Sequence, residues 1–148
     1  MNHDQPEDSM PPSKQTVRKW AERAGAGDRP AILREGEMPL DEESFVLVMS
    51  FIEENISNKL SVDGLASVLS LSRYHFSRRF KARVGFSPYE YITIRRLEIA
   101  RSLVLNSRMT IERIAEAVGY SDVLRFRAAF KKRFCVSPSI MRKHKSPL

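Results

Sequence analysis

Residues 110–138, TIERIAEAVGYSDVLRFRAAFKKRFCVSP, decide the fold, because they describe two helices joined by a tight turn. Apolar residues recur at three- and four-residue steps over residues 111–118, which predicts a short helix with one buried stripe. Thr110 is placed to cap the start of this helix, and Gly119 is placed to end it in the left-handed conformation. Ser121 is placed to cap a second helix with phenylalanines on one side and basic residues on the other. Such a unit is a helix-turn-helix, which places its second helix in the major groove of DNA.

The same pattern occurs earlier in the chain, at residues 61–88. Its first half matches the later copy at a spacing of 49 positions, and its second half matches at a spacing of 50. The matched positions include the helix caps, two phenylalanines and the Ser-Pro pair that follows. Because a repeat of this length is one supersecondary unit used twice, the sequence predicts two helix-turn-helix motifs in tandem.

Several spaced motifs accompany this repeat, in the order A-x-x-x-x-x-S, R-x-F-K, G-F-S-P-Y-E-Y-I-x-x-x-R-L-E-x-A-R, I-A-x-x-V-G-Y-S-D and F-K-K-R-F-x-V-S-P-S. Over residues 41–143 the series resembles the DNA-binding domain of AraC/XylS-type transcription regulators. The resemblance implies an all-α domain of about seven helices, in which two three-helix subdomains are joined by a linker helix. The similarity is greatest to the subgroup in which this domain follows an amidotransferase-like sensor domain, and we expect no such sensor in this chain.

The chain is predicted to consist of an arm, one folded domain and a tail. Residues 1–40 are rich in proline, glycine and polar side chains, which is typical of disorder. The boundaries of the remaining parts are residues 41–143 for the tandem domain, 61–84 for the first motif, 88–105 for the linker helix, 110–134 for the second motif and 144–148 for the tail.

The linker helix has a clear start at Ser87-Pro88-Tyr89-Glu90. Serine is a good N-cap, proline suits the first helical position, and glutamate at the third position completes a capping box. A helix over residues 88–105 would be about 27 Å long at 1.5 Å per residue, and successive major grooves lie roughly 34 Å apart on B-DNA. We therefore expect one monomer to place two recognition helices in successive major grooves, at a site with two unequal halves.

Charge is distributed unevenly along the 148 residues, whose overall net charge is +7. Residues 41–71 contain 1 basic and 6 acidic side chains, whereas residues 72–148 contain 18 basic and 5 acidic ones. A cationic region that coincides with both proposed recognition helices is the electrostatic signature of nucleic-acid binding. The sequence thus predicts double-stranded DNA as the partner, with no cofactor, no metal and no membrane. The single cysteine, Cys135, suits a reducing bacterial cytoplasm.

In the first motif, the resemblance implies base contacts by Tyr74, Ser77 and Arg78. Their chemistry agrees, because arginine can donate two hydrogen bonds to a guanine edge, and an aromatic or hydroxyl side chain can contact a base or a thymine methyl. Arg79 and Arg83 lie off this face and are predicted to contact phosphates or carboxylates.

In the second motif, the family's base-contacting positions correspond to Val123, Leu124, Arg127 and Ala128. Arg127 can donate directional hydrogen bonds and Leu124 can contact a thymine methyl, so these two are the predicted base-contacting residues. The second motif is therefore expected to supply affinity more than sequence discrimination. Arg133 is grouped with the cations of this motif that are expected to provide affinity for DNA. Phosphate contacts are predicted for Arg73, Lys81, Arg125, Lys131 and Lys132.

Cys135 stands where the first motif has Gly85. If the backbone there is left-handed, a non-glycine residue costs about 1 kcal/mol. A redox role for Cys135 and a tolerated substitution are both open interpretations.

The functional prediction is a sequence-specific, DNA-binding transcription regulator that is not an enzyme. The sequence contains no glycine-rich phosphate loop, no metal-ligand spacing and no paired carboxylates with a histidine. The alternative is a truncated adaptor that acts through a full-length regulator or RNA polymerase and binds DNA only weakly. We expect no small-molecule effector without a sensing domain.

Overall fold

The computed structural model describes residues 37–145, which form helices and no strands. The helices within this range are α1 Glu42–Glu54, α2 Val62–Val68, α3 Arg73–Val84, α4 Pro88–Asn106, α5 Ile111–Ala117, α6 Val123–Phe134 and α7 Pro138–Lys145. The predicted all-α class with about seven helices is confirmed for this part of the chain. Most of the predicted arm, residues 1–36, lies outside the described residues. Between residues 37 and 145, no helix is both long and apolar enough to cross a lipid bilayer.

Two compact units divide the described chain, and each contains one helix-turn-helix. The first unit holds the described residues up to Asn55 together with Leu60–Glu90, and thus α1, α2, α3 and the first turn of α4. The second unit holds Ile56–Lys59 and the described residues from Tyr91 onward. The predicted linker helix α4 therefore belongs mainly to the second unit, together with α5, α6 and α7.

Phenylalanine side chains on one side of each recognition helix form the centre of its unit. Phe76 and Phe80 on α3 are fully buried, with their ring centroids 5.5 Å apart. Phe126 and Phe130 on α6 are also fully buried, at 5.8 Å. Burial of such a side chain contributes roughly 1.5–3 kcal/mol, so these residues fix the rotation of each helix about its axis. The core of the second unit comprises Leu97, Ala100, Val104, Ile111, Ile114, Ala115, Val118, Phe126 and Phe130.

Most helices begin at the residues that the sequence predicts. The Oγ atom of Ser61 accepts a hydrogen bond from the Gly64 amide at 3.0 Å. Ser72 and Thr110 cap α3 and α5 in the same way. At α4 the Ser87 amide donates to the Glu90 carboxylate at 3.1 Å, and the Glu90 amide donates to Ser87 Oγ at 3.2 Å, which confirms the capping box.

The predicted cap of α6 by Ser121 is wrong, because Asp122 takes that position. Its Oδ1 atom accepts from the Leu124 amide at 2.8 Å and the Arg125 amide at 3.4 Å. Since α5 follows α2 at a spacing of 49 and α6 follows α3 at 50, the extra residue of the second copy lies in the turn. It moves the cap one residue along, where a carboxylate also suits the positive end of the helix dipole.

The turns after α2 and α5 close with the same pair of hydrogen bonds. In the second motif the Tyr120 amide donates to the Ala115 carbonyl at 2.9 Å, and the Gly119 amide donates to the Glu116 carbonyl at 3.0 Å. This pattern is a Schellman motif, which requires a left-handed residue after the helix. Gly119 has φ 91, as predicted, whereas the first motif uses Ser70 at φ 54.

Gly119 is also required by a close approach within the second unit. A Cβ atom at this position would lie 2.8 Å from the Ile56 carbonyl oxygen and 2.9 Å from Cζ of Arg96. That carbonyl accepts a hydrogen bond from Arg96 Nε at 3.0 Å, and Arg96 Nη2 donates to the Asn58 carbonyl at 2.7 Å. The turn between α5 and α6 therefore packs directly on the arginine that binds the Ile56–Lys59 segment.

The last helix extends into the residues predicted as a tail. Helix α7 continues through His144 and Lys145, which had been assigned to the tail. Arg142 attaches the helix to the second unit, because its Nε donates to the Val104 carbonyl at 3.0 Å and its Nη1 to the Met109 carbonyl at 2.6 Å.

Gly119→Ala should lower the free energy of unfolding by about 3 kcal/mol, since the new Cβ combines a left-handed backbone with overlap against a carbonyl. Gly85→Ala is the matched control, because Gly85 has φ 90 and an added Cβ would meet no atom within 4 Å. The free energy of unfolding of the Gly85→Ala variant should fall by only about 1 kcal/mol. Urea unfolding of both variants measures the difference, and equal losses would contradict the close-approach argument.

Cys135→Gly should stabilise the second unit, because Cys135 is exposed at φ 65 and carries the strain of a left-handed Cβ. The expected gain is about 0.5–1 kcal/mol, since the greater freedom of glycine in the unfolded chain offsets part of the relief. Cys135→Ser keeps the Cβ and should change stability by less than about 0.5 kcal/mol. Thermal unfolding under reducing conditions compares the two, and an equal gain for serine would refute backbone strain as the cause.

Candidate nucleic-acid interface

The predicted site residues of the first motif lie along one side of α3. Tyr74 is exposed, and Ser77, Arg78 and Lys81 are half-buried at the following helical steps of three and four residues. This stripe is separate from the buried side that Phe76 and Phe80 define. The structure therefore brings together an aromatic ring, a hydroxyl and two cations on one helix side.

Arg78 is held in place by two neighbours. Its Nε donates to Oε2 of Glu37 at 2.9 Å, and its Nη1 donates to the Tyr74 hydroxyl at 3.0 Å. The guanidinium also lies over the Tyr74 ring, 5.2 Å from the centroid. The hydrogen bond with Glu37 raises the pKa of Arg78 above its ordinary value, so the side chain stays cationic. Sequence reasoning missed Glu37 because it lies within the stretch predicted as a disordered arm.

The residues next to Glu37 pack along the same helix. Leu40 is buried, and its amide lies 3.4 Å from the Arg79 carbonyl. Arg79 Nε donates to the Met38 carbonyl at 2.8 Å, and Arg83 donates to the Leu40 carbonyl at 3.2 Å. Arg83 also pairs with the carboxylate of Glu42. Arg83 is predicted to contact a phosphate or a carboxylate, and the structure shows a carboxylate. Both Arg79 and Arg83 also donate to backbone carbonyls of residues just before α1.

The second motif presents a corresponding side of α6. Leu124, Arg127, Ala128 and Lys131 are exposed at steps of three and four residues, opposite the buried phenylalanines. Leu124 is 72% exposed, which leaves its apolar side chain accessible to a partner. The predicted base-contacting residues Leu124 and Arg127 are therefore accessible, whereas Val123 is half-buried against the core of the second unit.

Arg127 forms an ion pair with Glu112 of α5, with Nη2 and Oε1 2.8 Å apart. The two side chains are 44% and 62% exposed. In the first motif the equivalent acidic residue is Asp63, which lies 3.6 Å from Arg73 with both side chains exposed. Exposed pairs of this kind contribute at most about 1 kcal/mol, so a DNA phosphate or base can replace the carboxylate at little cost.

Arg133 differs from the neighbouring cations of α6, and its assignment to DNA affinity is wrong. Its Nη2 lies 2.8 Å from Oε1 of Glu98 on α4, and the two side chains are only 9% and 11% exposed. Arg133 therefore stabilises the second unit. Lys131 and Lys132 are exposed, as is Arg125, whose Nε lies 3.9 Å from the Asp122 carboxylate. These three remain accessible cations on α6.

His75 follows the exposed Tyr74 in the first turn of α3. It is exposed, and its Nδ1 atom lies 2.7 Å from the Oγ of Ser72. Within residues 37–145, no group of three or more histidine, cysteine, aspartate or glutamate side chains comes together in a way that could hold a metal ion.

Arg133→Ala should cost about 3 kcal/mol of unfolding free energy, because it removes the ion-pair partner of a largely buried carboxylate, Glu98. Lys132→Ala is the matched control on the adjacent residue, and its stability should stay within about 0.5 kcal/mol of wild type. Chemical denaturation measures both values. A small loss for Arg133→Ala would show that the pair with Glu98 is dispensable.

Comparison with known proteins identifies the type of domain. Residues 65–144, more than half of the chain, match the family described as a helix-turn-helix domain. The raffinose operon transcriptional regulatory protein RafR of Pediococcus pentosaceus is 37% identical over 101 residues, which cover 68% of this chain and 36% of that protein.

Two solved structures share the fold. A transcriptional regulator of Chromobacterium violaceum with an AraC-type DNA-binding domain superimposes with a TM-score of 0.65 at 28% identity, covering 71% of this chain and 94% of the other. The DNA-binding domain of the global transcriptional factor AdpA, in complex with a target DNA, gives 0.63 at 25% identity, covering 66% and 87%.

The matched region is a domain of longer proteins among the curated relatives. Three of them are matched over 42%, 34% and 36% of their own lengths. Within that region the tandem motifs, the helix order and the family match agree. The chain belongs to the AraC/XylS family of helix-turn-helix DNA-binding domains.

Proposed function

We propose that this chain is a sequence-specific transcription regulator that binds double-stranded DNA through both motifs, with α3 and α6 as recognition helices. The observation that supports this most directly is the repeated arrangement of the two helices. In each, a buried phenylalanine pair leaves the opposite side, with a cation at Lys81 or Lys131, open to a partner. An exposed cationic helix following a tight turn suits the major groove.

Base contacts in the first half-site are proposed for Tyr74, Ser77 and Arg78. Arg78 has the donors to bind the O6 and N7 acceptors of guanine, and the hydroxyls of Ser77 and Tyr74 can donate or accept. In the second half-site, Arg127 supplies the hydrogen bonds and Leu124 an apolar surface for a thymine methyl. The two halves are thus chemically unequal, with the first more able to discriminate among bases.

Phosphate contacts are proposed for cations beside these positions, namely Arg73, Lys81, Arg125, Lys131 and Lys132. Four of them are exposed and Lys81 is half-buried. Each phosphate that such a cation neutralises releases condensed counterions. Such contacts increase affinity for every sequence and determine position along the duplex. The accessible cations of α6 and the apolar Leu124 support a second motif that contributes more affinity than specificity.

One monomer is proposed to occupy two successive major grooves. The presence of two motifs in one chain supports an asymmetric site with unequal elements whose centres are about one helical turn apart, roughly 34 Å. A regulator acting in this way meets chromosomal DNA in the bacterial cytoplasm. RNA polymerase or a related regulator is the proposed protein partner at the promoter.

Selection of binding sites from random duplexes tests this function. Wild type should enrich a bipartite DNA motif. Arg78→Ala should lose about 1–3 kcal/mol of binding free energy and relax the base preference at one position in one half of that DNA motif. Arg127→Ala should affect the other half. The affinities of the selected duplex and of single-base variants, measured by fluorescence anisotropy, give the size of each effect.

Lys81→Ala is the control on the same helix as Arg78. It should weaken all duplexes nearly equally and reduce the slope of log affinity against log salt by about 1. If wild type enriches no motif and binds every duplex with the same salt dependence, the proposal fails. The chain would then act as an adaptor with weak DNA binding of its own.

A further inference from the structure

The arginine proposed to contact bases in the first motif is fixed by a carboxylate from outside that motif. Glu37 is only 10% exposed and Arg78 only 21%, with Nε and Oε2 2.9 Å apart. The comparable pair in the second motif, Arg127 with Glu112, is exposed on both sides. Because water screens a partly buried pair less, the carboxylate holds Arg78 more firmly than Glu112 holds Arg127.

Glu37 is itself held by the short segment that follows it. Leu40 is buried against the first unit, and the carbonyls of Met38 and Leu40 accept hydrogen bonds from Arg79 and Arg83. Three hydrogen bonds therefore join α3 to residues that lie within three positions of Glu37. This anchoring makes the carboxylate a fixed part of the first unit. It argues against the alternative that residues 37–40 must detach from α3 before DNA binds.

The geometry at Arg78 constrains the direction of its donors. A guanidinium carries five N–H donors in a planar fork. Glu37 accepts from Nε, the Tyr74 hydroxyl accepts from Nη1, and Cζ lies 5.2 Å from the centroid of the Tyr74 ring. With Nε and Nη1 both held, the plane of the fork is set, and the side chain loses little additional freedom when it meets a planar base edge.

The charge of Glu37 also affects how strongly Arg78 discriminates between a base edge and a phosphate. An unpaired arginine is attracted to every phosphate, which strengthens binding to all sequences alike. A carboxylate 2.9 Å away offsets the attraction of Arg78 to phosphates. The preference of Arg78 for one base over another then depends on hydrogen-bond geometry. A cationic guanidinium whose charge is balanced by a carboxylate, and whose orientation is fixed, favours a base edge over the backbone.

We propose that Glu37 is a positioning residue that sets the base preference of Arg78 by holding its guanidinium at Nε before DNA arrives. This inference rests on the proposed function. It gives the residues just before α1 a role in sequence recognition, although they lie outside both motifs.

The test uses the full chain with Glu37→Ala and Glu37→Gln, and the duplex selected by wild type. Anisotropy gives the ratio of affinity for that duplex to affinity for duplexes altered at the base pair assigned to Arg78. Glu37→Ala should reduce this ratio about tenfold while binding to unrelated DNA stays equal or becomes a few-fold tighter. Glu37→Gln retains the size and an acceptor oxygen, so it should restore part of the ratio. In an Arg78→Ala background, Glu37→Ala should have no further effect on the ratio.

Glu112→Ala is the control in the second motif, because it removes the carboxylate that pairs with Arg127, the arginine proposed to contact bases there. It should leave the ratio at the Arg78 base pair unchanged. If Glu37→Ala tightens binding to the selected duplex and keeps the ratio intact, Glu37 is an inhibitory contact and the positioning role is overturned. If wild type selects no duplex, the proposed function itself fails, whereas a selected duplex with an unchanged ratio in Glu37→Ala overturns only the positioning role.

A second measurement is independent of DNA. The Nε–H signal of Arg78 in ¹⁵N NMR spectra should be protected from solvent exchange in wild type and lose protection in Glu37→Ala. Arg125, whose side chain is 86% exposed, gives the reference for an unprotected arginine. An Arg78 signal that exchanges as fast as that of Arg125 in wild type would overturn the positioning role.

Discussion

Burial of a phenylalanine pair at positions four residues apart is the constraint on which each unit depends. Phe76 with Phe80, and Phe126 with Phe130, are fully buried and fix the rotation of α3 and α6. Side chains four residues apart lie one above the other on a helix, so the buried stripe leaves a defined opposite side. The cations and polar groups of that side are oriented by packing in the core, and their own interactions only refine their positions.

Electrostatic contacts determine which of the many cations remain available. Arginines near the core, such as Arg133 and Arg83, are paired with Glu98 and Glu42 and stabilise their units. Arg125, Lys131 and Lys132 lie on the exposed side of α6. A high positive charge in the sequence therefore overstates the charge presented to DNA. The acidic side chains matter as much as the basic ones, since they decide which cations are committed to the fold.

The two copies of the motif show how one scaffold accommodates local change. An added residue in the second turn moves the helix cap to Asp122, while both turns retain the same hydrogen bonds. The left-handed positions are filled differently, by Ser70 and Gly119 after the first helices and by Gly85 and Cys135 after the recognition helices. Among these four positions, glycine is indispensable only at Gly119, where an added Cβ would meet a backbone carbonyl. The other positions show that the fold tolerates modest strain where space is available.

The sequence by itself determined the all-α class, the tandem repeat, most helix caps and the side of each recognition helix that faces outward. These features follow from periodicity and local hydrogen bonding, which act between residues close in the chain. Only the tertiary structure decided the ion-pair partners of Glu37 and Arg133. Their partners, Arg78 and Glu98, are 41 and 35 positions away, and no local pattern indicates such pairs. Long-range packing decides which charges meet, and it thereby separates the arginines that hold the fold from those left to bind a partner.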